Sequence, residues 1–203
     1  MRFPLDDGLF GITNLPYGVY SVGGSDRRLA TRLGDRVVDL ATLLHDDALA
    51  VASLNPLMAQ GKAAWDEVRA SIVSSLASGL PDEGVYPLAE VELHLPFQVA
   101  DYVDFYASEE HATNLGRLFR PDSPDPLMPN WKHLPVSYTG RASSIVVSGT
   151  EVIRPCGQRL VDGIPEFGPS LRLDIEAELG FVVGVGNERG VPIATADAEE
   201  HIF

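Results

Sequence analysis

The chain has 203 residues, 45% of them hydrophobic and 22% charged, which suits a folded globular protein with a sizeable core. A formal net charge of −14, with only 15 Lys and Arg spread along the sequence, excludes a nucleic-acid partner, because phosphate binding needs clustered cations. One cysteine, Cys156, excludes an internal disulfide.

MRFPLDDGLFG places Asp6 and Asp7 where a secretory signal needs an apolar run, and no stretch reaches the roughly 20 apolar residues of a membrane span. A cytoplasmic protein without membrane contact is expected. LFGITNLPYGVYSV and RLATRLGDRVVDL alternate apolar and polar residues as strands do, with Gly34-Asp35 as a hairpin turn. Trp65, Val68, Ile72 and Leu76 share one face of a helix over 62–78, which Gly79 and Pro81 end. Prolines 81, 87 and 96 then bracket a connecting segment, with a domain boundary at about residue 90. The expected domains are thus 1–90 and 91–203.

DYVDFYASEEHATNLGRLFR reads as an extended entry and a helix. Ser108 is its expected N-cap, and Glu109 and Glu110 suit the positive end of the helix dipole. His111, in the first turn, stands where that dipole disfavours an imidazolium, which suits a neutral base; a surface residue fits the position as well. Arg120, at the helix end, caps carbonyls or grips a carboxylate. Tyr106 and Tyr138 are core rings with exposed hydroxyls, or donors to a ligand. A proline-rich loop follows.

SSIVVSGTEVI and LRLDIEAELGFVVGVG are expected strands by their period-two pattern. On a strand Glu176 and Glu178 point to one face, about 6.5–7 Å apart, whereas a helix would turn them about 160° apart. Paired carboxylates favour hard cations such as Ca²⁺ or Mg²⁺, but the wet face of an amphipathic strand shows the same pattern. VGVGNERG reads as a hairpin loop and Cys156 as a packing residue. The chain stops at EEHIF without a closing element, as a fragment of a longer protein would.

Taken together, DFYASEEHATNLGRLFR, LMPNWKHLPVSYTGRASSIVVSG, RPCGQ and LDIEAELGFVVG resemble the fumarylacetoacetase family, most densely from residue 101 to 203. The resemblance implies a mostly β, mixed β/α fold: a small Src-homology-3-like barrel, then the first part of a mixed β-roll catalytic domain. It implies hydrolysis of the carbon–carbon bond of 4-fumarylacetoacetate to fumarate and acetoacetate, the last step of tyrosine and phenylalanine degradation. In that likeness Asp104, Glu176 and Glu178 are ligands of Ca²⁺ or Mg²⁺, His111 is the general base, and Tyr106, Arg120 and Tyr138 contact substrate. It also implies a homodimer. Thr139 stands where many relatives have histidine. The family's further acid, lysine and glutamine groups match nothing here, so an inactive fragment is one alternative and an acylpyruvate or 2-oxo-acid hydrolase another.

Overall fold

The computed structural model describes residues 8–203; Asp6 and Asp7 lie outside them. The chain divides into two compact units, one formed by the chain up to Gln98 together with Val147–Phe203, the other by Val99–Val146.

The first unit is built on a five-stranded antiparallel sheet of order β4-β3-β2-β1-β5. Its strands are β1 (Tyr17–Ser21), β2 (Arg28–Leu33), β3 (Arg36–Asp39), β4 (Val85–Pro87) and β5 (Glu92–His94). β2 and β3 form the expected hairpin, with Gly34 at φ 59°, a conformation that glycine adopts without steric cost. The residues read as a connecting segment instead supply both edges, β4 and β5. Their apolar content is too sparse to announce a strand, and β5 pairs with β1 from far along the chain.

Both faces of the sheet are covered. Val19 opposite Leu29, and Val38 beyond them, belong to the main core, whereas Tyr20, Ala30 and Val37 face a smaller cluster with Tyr86 and Leu88. The main core is closed by α1 (Leu40–Leu44), α2 (Asn55–Met58) and α3 (Lys62–Ala77). As expected, α3 buries Trp65, Ile72 and Leu76, and the chain turns at Gly79 (φ 128°). Full burial of a side chain such as Ile72 contributes about 1.5–3 kcal/mol, and Ile72→Ala would cost about 2–5 kcal/mol through the void it leaves.

The register also explains one buried charge. Tyr20 lies opposite Arg28, and Asp39 lies opposite Ala30, so all three polar groups meet on the same face. Asp39, 1% exposed, accepts hydrogen bonds from Arg28 Nε (2.7 Å) and Nη2 (2.8 Å), from Tyr20 Oη (2.9 Å), and from the N–H and hydroxyl of Thr42 (2.8 and 2.9 Å). The Thr42 N–H bond also caps α1. Burial pushes the Asp39 carboxyl up, but the Arg28 guanidinium and the other donors outweigh it and hold the group below its ordinary range.

Two expected strands are absent. Residues 143–153 begin inside a 3₁₀ turn, Ala142–Ser144, and turn again at Gly149, and residues 171–179 form no strand. Their alternation specifies which side chains would share a face, but a strand also needs a neighbour, and no described segment runs alongside them. Leu173, Ile175 and Leu179 are accordingly exposed. The strands that do form are β8 (Cys156–Val161) and β9 (Ile164–Pro169), joined through Asp162-Gly163 with φ of 50° and 81°. Cys156 is therefore not a packing residue; it sits exposed on β8. No described helix is long and apolar enough to cross a membrane.

Candidate active site

The second unit holds five of the seven residues singled out by the sequence. Its frame is the antiparallel pair β6 (Val103–Phe105) and β7 (Ser137–Thr139), followed in chain order after β6 by α4 (Glu109–Phe119). Tyr102, Asp104 and Tyr106 alternate with exposed neighbours and are half-buried, as strand geometry requires. The entry is held tightly: a Cβ on Gly140 would fall inside the ring of Tyr102, 1.8 Å from Cζ.

Asp104 and Tyr138 are cross-strand partners, and the Tyr138 hydroxyl donates to Asp104 Oδ2 at 2.7 Å. A carboxylate oriented by such a bond presents its remaining lone pairs in fixed directions. One residue beyond β6, Tyr106 continues the pairing through its N–H to Val136 O (2.8 Å), while its hydroxyl donates to Ala112 O (3.2 Å) in the first turns of α4. That bond ties the strand to the helix start. His111 meets the Tyr106 ring edge-on at 5.8 Å between centroids. Ser108 is the N-cap as expected, its hydroxyl accepting from His111 N–H at 3.3 Å. The His111 side chain is exposed.

Arg120 closes α4. Its N–H donates to Gly116 O, and its Nη2 donates to Pro126 O at 2.7 Å, so one arm of the guanidinium fixes the following loop. Gly116 permits the close approach, since a Cβ there would stand 2.0 Å from Pro126 O.

Trp131 was not foreseen. Its ring meets Tyr106 edge-on at 6.4 Å, and its buried indole N–H has no hydrogen-bond partner among the described residues. Beside it Lys132 pairs with Glu109 at 2.6 Å, an exposed contact that joins the loop to the helix start. The signal was available in PNWKHLP, where a lone tryptophan among loop residues must find an aromatic or apolar neighbour.

Glu176 and Glu178 belong to the first unit, in the exposed, irregular stretch before the Val183–Ile202 bridge. The strand on which their convergence depended is not formed. Carboxylates are the donor chemistry that a hard divalent cation takes, and the Tyr138 bond orients the one on Asp104. Among the described residues no group of three or more His, Cys, Asp or Glu stands together as a metal site.

Comparison with known proteins accounts for these motifs. Residues 13–96 match the family model described as "Fumarylacetoacetase N-terminal", and residues 101–203 match "Fumarylacetoacetate (FAA) hydrolase C-terminal". Fumarylacetoacetases of Rattus norvegicus and Homo sapiens are 41% and 42% identical to this chain over 220 residues, covering 98% of it and 52% of each relative. That of Oryza sativa subsp. japonica is 42% identical, covering 96% of the chain and 51% of the relative. The chain spans about half the length of the curated relatives it matches. It belongs to the fumarylacetoacetase family.

Proposed function

We propose that the protein containing this chain is a hydrolase that cleaves the carbon–carbon bond of 4-fumarylacetoacetate, giving fumarate and acetoacetate in tyrosine and phenylalanine breakdown. The observation that carries this reading is the Asp104–Tyr138 hydrogen bond standing in the same small unit as the Tyr106–His111 contact, on stretches matched to the hydrolase model.

Each residue has a task. His111, held at the helix start by Ser108 and Tyr106, removes a proton from water, and the resulting hydroxide adds to the fumaryl group's own ketone carbonyl, the one conjugated with the double bond. Collapse of that adduct breaks the carbon–carbon bond and releases acetoacetate as its enolate, which takes up a proton on carbon. Both ends of the substrate carry carboxylates, and Arg120 supplies a guanidinium in an otherwise acidic chain. Tyr106 and Tyr138 contact the substrate in this reading, their hydroxyl oxygens still able to accept a hydrogen bond while they donate to Ala112 O and Asp104. Asp104, Glu176 and Glu178 would hold Ca²⁺ or Mg²⁺, which would supply Lewis-acid stabilisation of the negative charge that develops as acetoacetate leaves. The Src-homology-3-like barrel is the fold we assign to the five-stranded sheet, and a homodimer in the cytoplasm is the assembly and setting that accompany this reading.

The test is the disappearance of diketone absorbance when fumarylacetoacetate meets the protein expressed from its full reading frame. Turnover that is lost in His111→Ala supports the reading. Hydrolysis of simple acylpyruvates with fumarylacetoacetate left intact overturns it.

A further inference from the structure

The loop after α4 is bonded mainly to itself. Ser123 Oγ donates to Asp125 O at 2.7 Å, and Leu127 N–H to Asp125 Oδ1 at 2.9 Å. The backbone N–H of Trp131 donates to Met128 O, and that of His133 to Asn130 O, both at 2.9 Å. Two contacts fasten the loop to the helix: Arg120 Nη2 on Pro126 O, and Lys132 on Glu109. From 120 to 139 only Pro126, Leu127 and Trp131 are not exposed, so the loop has few side chains with which to reach the rest of its unit. Trp131 reaches the ring of Tyr106, edge-on, with 88° between the planes. The ring alone makes this contact; the indole N–H has no hydrogen-bond partner among the described residues.

Tyr106 needs a contact of that kind. Its backbone N–H is bonded to Val136 O and its hydroxyl to Ala112 O, so both ends of the residue are held. The hydroxyl oxygen lies on the axis about which the ring turns, and the backbone bond lies behind the side chain. Neither fixes the plane of the ring, whose torsion is broad. That plane is set from the sides, by Trp131 from the loop and by the imidazole of His111 from α4, which stands at 77° to it. His111 is exposed, and Tyr106 is its one ring contact among the described residues. An exposed side chain samples several rotamers unless a neighbour selects one. The plane of Tyr106 makes that selection, and Trp131 holds the plane.

We propose that Trp131 is a positioning residue for His111: seated edge-on against Tyr106, it fixes the plane of that ring and through it the direction of the imidazole. For catalysis this rests on His111 being the base, as in the function proposed above. The role needs no contact between Trp131 and substrate. It narrows the imidazole to one direction, and a base held in one direction loses less on reaching the geometry of proton transfer.

The experiment follows the His111 imidazole by nuclear magnetic resonance in the protein expressed from its full reading frame, with labelled histidines and His111→Ala to assign the signal. It is run at about pH 8.5, well above the ordinary imidazole pKa of about 6.5, so that charge plays no part. In the parent, the Tyr106 ring protons should show Overhauser contacts with both the Trp131 indole and the His111 imidazole. Absence of either overturns the inference, so it stays testable even where a variant fails to fold. Trp131→Leu, folded by circular dichroism, should move the His111 signal and lower kcat on fumarylacetoacetate about tenfold. Trp131→Phe keeps an edge for Tyr106 and should return both readings most of the way to the parent. Met128→Ala removes an exposed side chain of the same loop, and its His111 signal should stay at the parent position. A parent-like signal in folded Trp131→Leu overturns the inference, whatever the turnover. An equal shift in Met128→Ala does the same, because it assigns the effect to the loop as a whole. Parent-like turnover in His111→Ala sinks the base reading and the part in catalysis with it, while the His111 signal still decides the contact.

Discussion

The phenol of Tyr138 donates to the carboxylate of Asp104 across the β6–β7 pair, at 2.7 Å between directly paired residues. The pairing register dictates the contact, so the fold itself orients the carboxylate. Tyr138→Phe keeps the ring and the register but removes the donor. Cation affinity is expected to fall about tenfold, read by calorimetry, with little change in melting temperature because the pair is exposed.

In the proposed reading His111 serves as the base, whereas Ser108, three residues earlier, caps the helix. His111→Ala should lower kcat by about 10²–10⁴-fold while leaving the melting temperature within a degree or two. Ser108→Ala removes a cap whose 3.3 Å bond is long, so it should cost stability at the low end, about 0.5–1 kcal/mol, by denaturant titration. Equal kinetic losses in both variants would mean that His111 acts only through the helix start.

Gly116 sets two effects against each other. Alanine is the better helix former by about 1 kcal/mol, so Gly116→Ala on an open face would stabilise α4. Here the new Cβ would stand 2.0 Å from the backbone oxygen of Pro126, which has no flexible end to swing away. The clash wins: the expected result is a lower melting temperature, together with a raised KM for fumarylacetoacetate as the loop held by Arg120 shifts. A stabilised variant with unchanged KM would contradict the packing described.

Asp39 and Tyr20 define the pH range of the N-terminal unit. The Asp39 carboxyl is held below its ordinary value, so its contribution is present above the unfolded pKa of about 3.9 and is lost as pH falls through the folded value. Burial and the neighbouring Asp39 push the Tyr20 phenol up, so its contribution is complete below about pH 10 and is lost as pH rises further. Asp39→Asn should cost about 3 kcal/mol at pH 7, at the low end for a broken buried pair because the Arg28 side chain remains 38% exposed. The difference from the parent should shrink below about pH 4, as urea titrations at several pH values would record.

What was legible in the sequence was what neighbours along the chain decide. α3 follows from the spacing of Trp65, Ile72 and Leu76, α4 from Ser108 and its acids, and the β2–β3 turn from Gly34-Asp35. The β8–β9 hairpin was equally local, announced by Asp162-Gly163, yet it was passed over because the β-branched runs on either side drew the strand assignment to themselves. The edges β4 and β5 depend on partners many residues away, which no local pattern encodes. The same holds at the site. Asp104 was marked out by the family likeness of its stretch and not by its local pattern, whereas the seating of Trp131 against Tyr106 arises from packing between distant parts of the chain.

The pairing of β1 with β5, fastened by the contact of Ser21 Oγ with His94 Nε2 at 2.8 Å, spans 73 residues. At synthesis rates of about 5–20 residues per second, the β1 edge waits roughly 4–15 s for its neighbour to leave the ribosome. For that interval the nascent meander carries a bare row of amides and carbonyls. A ribosomal pause between the codons for Ser21 and His94 would lengthen the period in which that edge can pair with the wrong chain.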